Sequence, residues 1–346
     1  MIPGAGAARP TGTAKLVAAH AGVSVTTVSR VLNGRADAIP PETQRRVFRA
    51  ATKLGYRPNS LAVALRRGVT ETVGLVVPDI GDAYFHQIAR GVEDVAQPIG
   101  YGVLLTNTDR DPTREKAVVD MLLDKRVDGL VFAGGGVEAD SHLYDVAWGS
   151  TRVVMVGPHQ LDFPSVRVDD AAAIASAVDH LVAVGRRRIL CLTGQPSWLV
   201  SQERLAGYVR AVKAHGLDHD ASLIMPGDFS LESGQKRVHD ALARGVRFDG
   251  VLAFNDYCAI GAIDAVLRSG RRVPEDVAVV GCDDIPEAQL VRPSLSSISF
   301  SQYELGRAAA AILLDTGHVN LAHQVQPHRL AVRQSTSMAV ACEARD

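Results

Sequence analysis

At 346 residues the chain exceeds a single ordinary domain, and a hydrophobic content of 47% is ample for large buried cores. It contains no run of about eighteen apolar residues, so a membrane-spanning helix is not expected. Its 37 basic and 38 acidic residues nearly cancel, and its four cysteines (Cys191, Cys258, Cys282, Cys342) lack CxxC or Cys/His spacing. That pattern argues against a disulfide scaffold or zinc site and for reduced structural cysteine in the cytoplasm.

Residues 1–12 carry no apolar segment of the kind a signal peptide needs and read as a disordered tail. Ala14–His20 is a good helix former, and Leu16, Val17, Ala18 and Ala21 are spaced to give one buried stripe. Gly22 stands where that helix should end, because glycine takes the left-handed conformation without steric cost. Val23 is placed to fill the turn, and Ser24 to cap a second helix over Val25–Leu32. Asn33-Gly34 then stops the chain in a turn. Val28, Val31 and Leu32 form the buried face of this helix. Thr26, Thr27, Ser29 and Arg30 lie on its other faces, where they suit phosphate and base-edge contacts. A third helix is predicted over Pro41–Leu54.

A helix–glycine–helix pattern also fits a small structural cap, and charge separates the two readings. Residues 1–70 hold eleven basic and two acidic side chains, a charge of +9, which leaves −10 on residues 71–346. A near-neutral total thus conceals a basic head on an acidic body, the electrostatic footprint of nucleic-acid binding. Residues 56–65, YRPNSLAVAL, read as a short helix carrying a leucine. A helix of about eight residues is marginal alone, so this one is expected to fold on binding DNA.

From residue 72 apolar strands alternate with amphipathic helices. Strands are predicted at Val73–Val77, Gly102–Thr106, Gly129–Ala133 and Val153–Val156, then at Ile189–Thr193, Ser222–Met225, Gly250–Ala253 and Val277–Gly281. Helices are predicted between them, for example at Phe85–Gln97, Thr113–Lys125, Ala171–Val184, Gln202–Ala214, Leu231–Ala243 and Ala259–Arg268. Two such series argue two α/β lobes, each with a parallel sheet covered on both faces. Ligands of such sheets sit beyond the carboxyl ends of the strands. Asp79, Asp82, Asn107, Asp109, Asn255, Asp256, Asp283 and Asp284 cluster there, and Arg204 joins them from the stretch Glu203–Tyr208. These polar groups suit vicinal hydroxyls, with Tyr84, Phe85, Trp198, Phe229 and Phe254 as candidate aromatic walls. Asp79 and Asp284 fit helix capping equally well.

GVSVTTVSRVLNG, ETQRRVFRAATKLGYRPN and LAVALRRG resemble the lactose-repressor (LacI/GalR) family of bacterial transcription regulators, and the resemblance runs from about residue 13 to 338. Ala14 and Leu16 depart from it, since the family usually has isoleucine and aspartate there. The resemblance implies that Val25 and Thr26 open the recognition helix and set base preference. Ser24, Thr27, Ser29 and Arg30 would add phosphate and base contacts, and Asn33 a backbone contact. Tyr56 and Asn59 would introduce a hinge helix through Ala62, with Leu65 inserted between base pairs of the minor groove. Such a wedge costs a few kcal/mol of unstacking, offset by added contacts.

For the body the resemblance implies a periplasmic-binding-protein-like type I fold. The tail of residues 1–12 would be followed by a helix-turn-helix domain at 13–58 and a hinge and linker at 59–70. A first lobe would comprise 71–168 and 302–338, a second 169–301, and 339–346 would form a tail. The chain would cross between lobes near 168 and 300. The helix Tyr303–Leu314 and a strand near Arg329–Arg333 would return to the first lobe. Arg204, Asn255 (in FNDYCAIG) and Asp283 (in VVGCDDI) match effector contacts, with Asp82, Tyr84, Phe85, Phe229 and Phe300 completing the site. Asp82 stands where the family often has asparagine, and Phe300 where many sugar-binding members have glutamine.

The remaining motifs are discounted. Gly134-Gly135-Gly136 lacks the spacing of a phosphate loop, His215 and His219 lack a third metal ligand, and Arg186-Arg187-Arg188 follows a helix end as solvated charge. No catalytic motif such as GxSxG or HExxH occurs, and no cofactor is expected. The expected function is a cytoplasmic, sequence-specific repressor that binds a near-palindromic operator as a homodimer under control of a small sugar-like effector. The alternatives are a soluble sugar- or nucleoside-binding protein, a Rossmann-type enzyme, or a regulator answering to a purine or a protein partner.

Overall fold

The structure, a computed structural model, describes residues 12–57, 67–134, 151–217, 220–315 and 323–337. Asn59, Ala62 and Leu65 of the expected hinge, and Cys342, lie outside the described residues. The chain divides into two compact units, Met1–Thr70 and Glu71–Asp346.

In the first unit, α1 spans Ala14–Ala21, α2 Val25–Leu32 and α3 Pro41–Lys53. Gly22 ends α1 at φ 62°, the left-handed conformation that a Cβ disfavours. Ser24 is extended, and its Oγ accepts from Thr27 N at 3.0 Å. Arg46 of α3 donates through Nε to Ala21 O at 3.1 Å, locking the turn against the third helix. Val17, Ala18, Ala21, Val28, Val31, Val47, Ala50 and Ala51 make the core. Leu16, expected in the buried stripe, is 50% exposed. The face that meets the other helices runs through Val17, Ala18 and Ala21, and Leu16 falls outside it.

The second unit holds two six-stranded sheets among the described residues, ordered β11-β5-β4-β3-β1-β2 and β12-β10-β9-β8-β6-β7. The first sheet comprises β1 Thr72–Val77, β2 Gly102–Asn107, β3 Gly129–Ala133, β4 Arg152–Val156, β5 Ser165–Val168 and β11 His323–Gln326. The second comprises β6 Ile189–Thr193, β7 Ile224–Pro226, β8 Gly250–Ala253, β9 Ala278–Cys282, β10 Ser296–Ser299 and β12 Arg329–Ala331. All neighbours pair in parallel except β10 with β12. Helices α4 Ala83–Ala96, α5 Pro112–Asp124 and α11 Gln302–Leu314 pack on the first sheet. Helices α6 Asp170–Ala183, α7 Leu199–Ala214, α8 Leu231–Ala243 and α9 Asp256–Arg268 accompany the second, with the short α10 Glu287–Leu290 after β9.

Helix pairs meet at glycines. A Cβ on Gly91 of α4 would lie 2.1 Å from Tyr303 O, and one on Gly234 of α8 would lie 2.1 Å from Cys258 O. Backbones approach that closely only where no side chain intervenes.

Three expectations are corrected. The strand expected at Ser222 begins at Ile224, because Asp220 caps a 3-10 turn over Ala221–Leu223. β5, β10 and β11 fall outside the predicted strands. β5 is short and opens on Ser165, β10 is rich in serine, and the buried hydroxyls of Ser296 and Ser297 are satisfied by Thr336 Oγ1 and Asp256 Oδ1. The strand near residue 329 does not return to the first lobe. Arg329–Ala331 pairs antiparallel with β10, and Val279 N donates to Ser335 O at 2.9 Å. The chain therefore crosses a third time, between β11 and β12, and residues 329–336 belong to the second lobe. Its serine-rich edge supplies the hydrogen-bond partners that hold them there.

Candidate effector cavity and nucleic-acid interface

On the first unit, Ser24, Val25, Thr26 and Arg30 are exposed along one end and side of α2, while Thr27 and Ser29 are half-buried. Thr27 Oγ1 shares a 2.9 Å hydrogen bond with Ser24 Oγ. Asn33 is half-buried, and its Nδ2 donates to Ser29 O at 2.7 Å, closing the last turn of α2. Tyr56 is half-buried against the core of the unit. The exposed hydroxyls of Ser24 and Thr26 lie at the positive end of the α2 dipole, the Arg30 guanidinium extends from its last turn, and the whole unit carries a charge of +9.

In the second unit, Asp82, Tyr84, Phe85, Arg204, Phe229, Asn255, Asp283 and Phe300 line one cavity at the carboxyl ends of the two sheets. The open-mouthed space it bounds is about 650 Å³, of which about 70 Å³ is cavity proper. Trp198 also lines it, stacked at 35° to Phe229 with centroids 5.7 Å apart. Tyr84 meets Phe85 and Phe300 edge-on, at 4.9 and 6.3 Å. Phe254, considered as a wall, is instead a core residue, 1% exposed.

The polar side chains are placed by capping and pairing. Asp82 caps α4, its Oδ1 accepting from Tyr84 N at 3.0 Å. Burial raises its pKa, against the pull of that amide and of Arg110. Asn255 caps α9 through Cys258 N at 3.0 Å and donates to Phe229 O at 2.8 Å. One amide hydrogen and one lone pair remain for a ligand.

Asp283 sits at φ 112°, and burial raises its pKa well above the usual carboxylate range, against the opposing charge of Arg204. Its Oδ1 lies 3.7 Å from Arg204 Nη2 and has no hydrogen-bond partner among the described residues.

Three charged cavity residues were missed in the sequence: Arg110, Arg167 and Asp170. Asp170 accepts from Arg204 Nε at 2.7 Å, and Arg167 pairs with Glu203 at 2.7 Å across the two lobes. Nothing local marks either partnership, although an acidic pair before a helix, Asp169-Asp170, is a usable sign. Asp79, Asn107, Asp109 and Asp284 do not line the cavity. Asp79 and Asn107 accept from Gly81 N and Ile80 N, Asp109 pairs with Arg114, and Asp284 pairs with Arg333 at 2.5 Å. Asp256 is fully buried beneath the site.

Among the described residues no group of three or more His, Cys, Asp or Glu is placed to hold a metal ion. His215 pairs with Asp179 at 2.6 Å, and His219 lies outside the described residues. No helix among the described residues is long and apolar enough to cross a membrane. Cys191, Cys258 and Cys282 are free thiols buried in apolar surroundings.

A basic helix-turn-helix unit joined to a two-lobed α/β unit with a cleft defines a DNA-binding transcriptional regulator. Residues 13–59 match the bacterial regulatory proteins of the lacI family, and residues 178–336 match the periplasmic binding protein-like domain. Catabolite control protein A of Priestia megaterium is 32% identical over 331 residues, spanning 92% of this chain and 98% of that one. The HTH-type transcriptional repressor CytR of Escherichia coli (strain K12) is 33% identical over 329 residues, spanning 94% and 96%. The lac repressor dimer bound to operator and the anti-inducer ONPF has a TM-score of 0.85 at 28% identity, over 95% of this chain and 99% of that one. The transcriptional regulator CelR–cellobiose complex has a TM-score of 0.71 at 32% identity, over 94% and 99%. The chain belongs to the lacI family.

Proposed function

We propose that this regulator is a cytoplasmic, homodimeric repressor whose affinity for a near-palindromic operator is set by a neutral sugar-like effector bound in the interlobe cavity. The observation that carries the effector class is Asp283. A buried carboxylate oxygen without a hydrogen-bond donor is costly, and a ligand hydroxyl relieves that cost. Arg204 and Asn255 stand ready for adjoining oxygens, while Trp198 and Phe229 offer apolar faces to a pyranose or furanose ring. Three acids (Asp82, Asp170, Asp283) and three arginines (Arg110, Arg167, Arg204) line the cavity, so it offers acceptors and donors side by side, as the hydroxyls of a sugar need.

On the DNA side, Ser24, Val25, Thr26, Thr27, Ser29, Arg30 and Asn33 would meet one half-site in the major groove. Tyr56, Asn59, Ala62 and Leu65 would form the hinge that reaches the minor groove. Two protomers match a two-fold operator. Effector binding alters DNA affinity only as far as it favours one arrangement of the lobes over another.

A thermal-shift screen of neutral pentoses, hexoses and disaccharides, with ribose and cellobiose included, tests the reading. A true ligand at a hundred times its Kd adds about 2.7 kcal/mol of stability. The reading predicts such a shift, lost in Asp283→Ala. A shift given by purines or nucleosides alone, or retained in Asp283→Ala, contradicts it.

A further inference from the structure

Arg110 occupies the turn between β2 and α5 of the first lobe, at φ 61°, with its amide donating to Pro78 O at 3.2 Å. Its side chain leaves that lobe. Nη1 donates to Asp228 O at 2.5 Å, in the loop between β7 and α8 of the second lobe. The guanidinium carbon lies 5.8 Å from the centroid of the Trp198 ring, also in the second lobe, within cation–π reach. The two carboxylates of its own lobe, Asp79 and Asp82, are 3.6 and 3.7 Å away, beyond hydrogen-bond distance. Its short contact is therefore made across the cleft. The strand-to-helix loop it grips carries Phe229, whose carbonyl binds Asn255 Nδ2 at 2.8 Å. The side chain is 18% exposed, it lines the cavity, and its Nε has no hydrogen-bond partner among the described residues.

We propose that Arg110 is a cross-lobe latch for the effector cavity: it holds the Phe229 loop and Trp198 of the second lobe over the site and presents its free Nε–H to the bound effector. The ligand role rests on the reading of the cavity as an effector site; the closing role does not. A guanidinium suits both tasks, because its planar fork stacks on the indole while donors point in different directions. A lysine keeps the charge and the attraction to Asp79 and Asp82 but cannot make both contacts together. A buried donor without an acceptor is unfavourable, so an effector oxygen accepting from Nε stabilises the closed cleft over the open one.

The chain has two tryptophans, and Trp148→Phe leaves Trp198 as the sole tryptophan, excited selectively over the tyrosines. In that parent, Arg110→Gln and Arg110→Lys are compared by acrylamide quenching without ligand, after circular dichroism and gel filtration show that each variant is folded. The latch predicts that the quenching constant of Trp198 rises severalfold in both variants. Unchanged quenching in both overturns it.

Titration calorimetry with cellobiose and ribose then measures the donor role. A lost hydrogen bond from a charged group weakens binding about tenfold or more, and this is expected in Arg110→Lys for any sugar the parent binds. Equal affinity overturns the donor role. If the parent binds neither sugar while Asp283→Ala gives the same blank, the fault lies with the choice of effector class, and the quenching result alone decides the latch.

Discussion

Arg204 Nε donates to Asp170 Oδ1 at 2.7 Å, and both side chains are only 7% exposed. Asp170 opens α6, directly after the crossing from β5, and Arg204 lies on α7. The guanidinium also donates to Phe254 O and faces Asp283. One ion pair therefore fixes the second lobe's first helix pair and sets the polar floor of the cavity. Removing one member of a buried pair leaves the other charge uncompensated, at about 3–5 kcal/mol. Asp170→Ala is expected to lose that much stability in urea unfolding, and Asp170→Asn, which keeps an acceptor, clearly less. A loss below the usual surface value of about 0.5 kcal/mol would remove the pair from this role.

Gly22→Ala tests the turn of the DNA-binding unit. The left-handed backbone at φ 62° costs an L-residue about 1–2 kcal/mol, and the new methyl would meet Arg46 Nη2 at 3.2 Å. Amide hydrogen exchange in α1 and α2 should accelerate, and DNA affinity should fall with it. Exchange left unchanged would show that the turn tolerates a side chain.

Asp256 gives a pH signature. Its carboxylate accepts from Ser297 Oγ at 2.6 Å and Ile285 N at 2.9 Å, and burial pushes its pKa up to about 7. Between an unfolded value near about 4 and about 7, the folded chain holds a proton that the unfolded chain has released. This group's contribution therefore weakens stability as pH rises through that window and levels off above it. The wild-type minus Asp256→Asn stability difference should fall from pH 4 to 7 and then flatten. A flat difference across the window would contradict the buried, proton-holding carboxyl.

Arg30→Ala separates base reading from phosphate contact. Loss of a bidentate base contact costs about 1–3 kcal/mol and relaxes preference at one position of each half-site. If selected sequences stay the same and affinity falls uniformly, Arg30 contacts phosphate.

Leu65→Ala addresses the hinge, where a wedge between base pairs supports specific binding. Competition titrations against operator and random duplex should show specific affinity falling more than non-specific. Equal losses would deny the residue that role.

The DNA-binding unit was readable because its signals are local. Gly22 needs a left-handed φ, Ser24 caps the second helix, and Val28 and Val31 face the same core as Val17. The parallel strands were readable because burial on both faces demands continuous apolar runs, as in Ile189–Thr193. β5 and β10 escaped because their serines are satisfied by distant groups, Ser165 by His323 and Ser296 by Thr336. The second-lobe place of β12 depends on pairing with Ser297, and nothing near residue 330 announces it. All eight expected cavity residues came together, since the ends of parallel strands mark the site. Arg110 did not stand out because its partners, Asp228 and Trp198, are supplied by the other lobe.

The most direct measurement is selection of duplexes from a random pool by the full chain, followed by titration of the selected duplex complex with ribose, cellobiose and the other neutral sugars of the screen. The account predicts a two-fold symmetric consensus, salt-sensitive binding, and a sugar-dependent change in affinity that Asp283→Ala abolishes while selecting the same consensus. Enrichment of no sequence, or a ligand response that survives in Asp283→Ala, would contradict it.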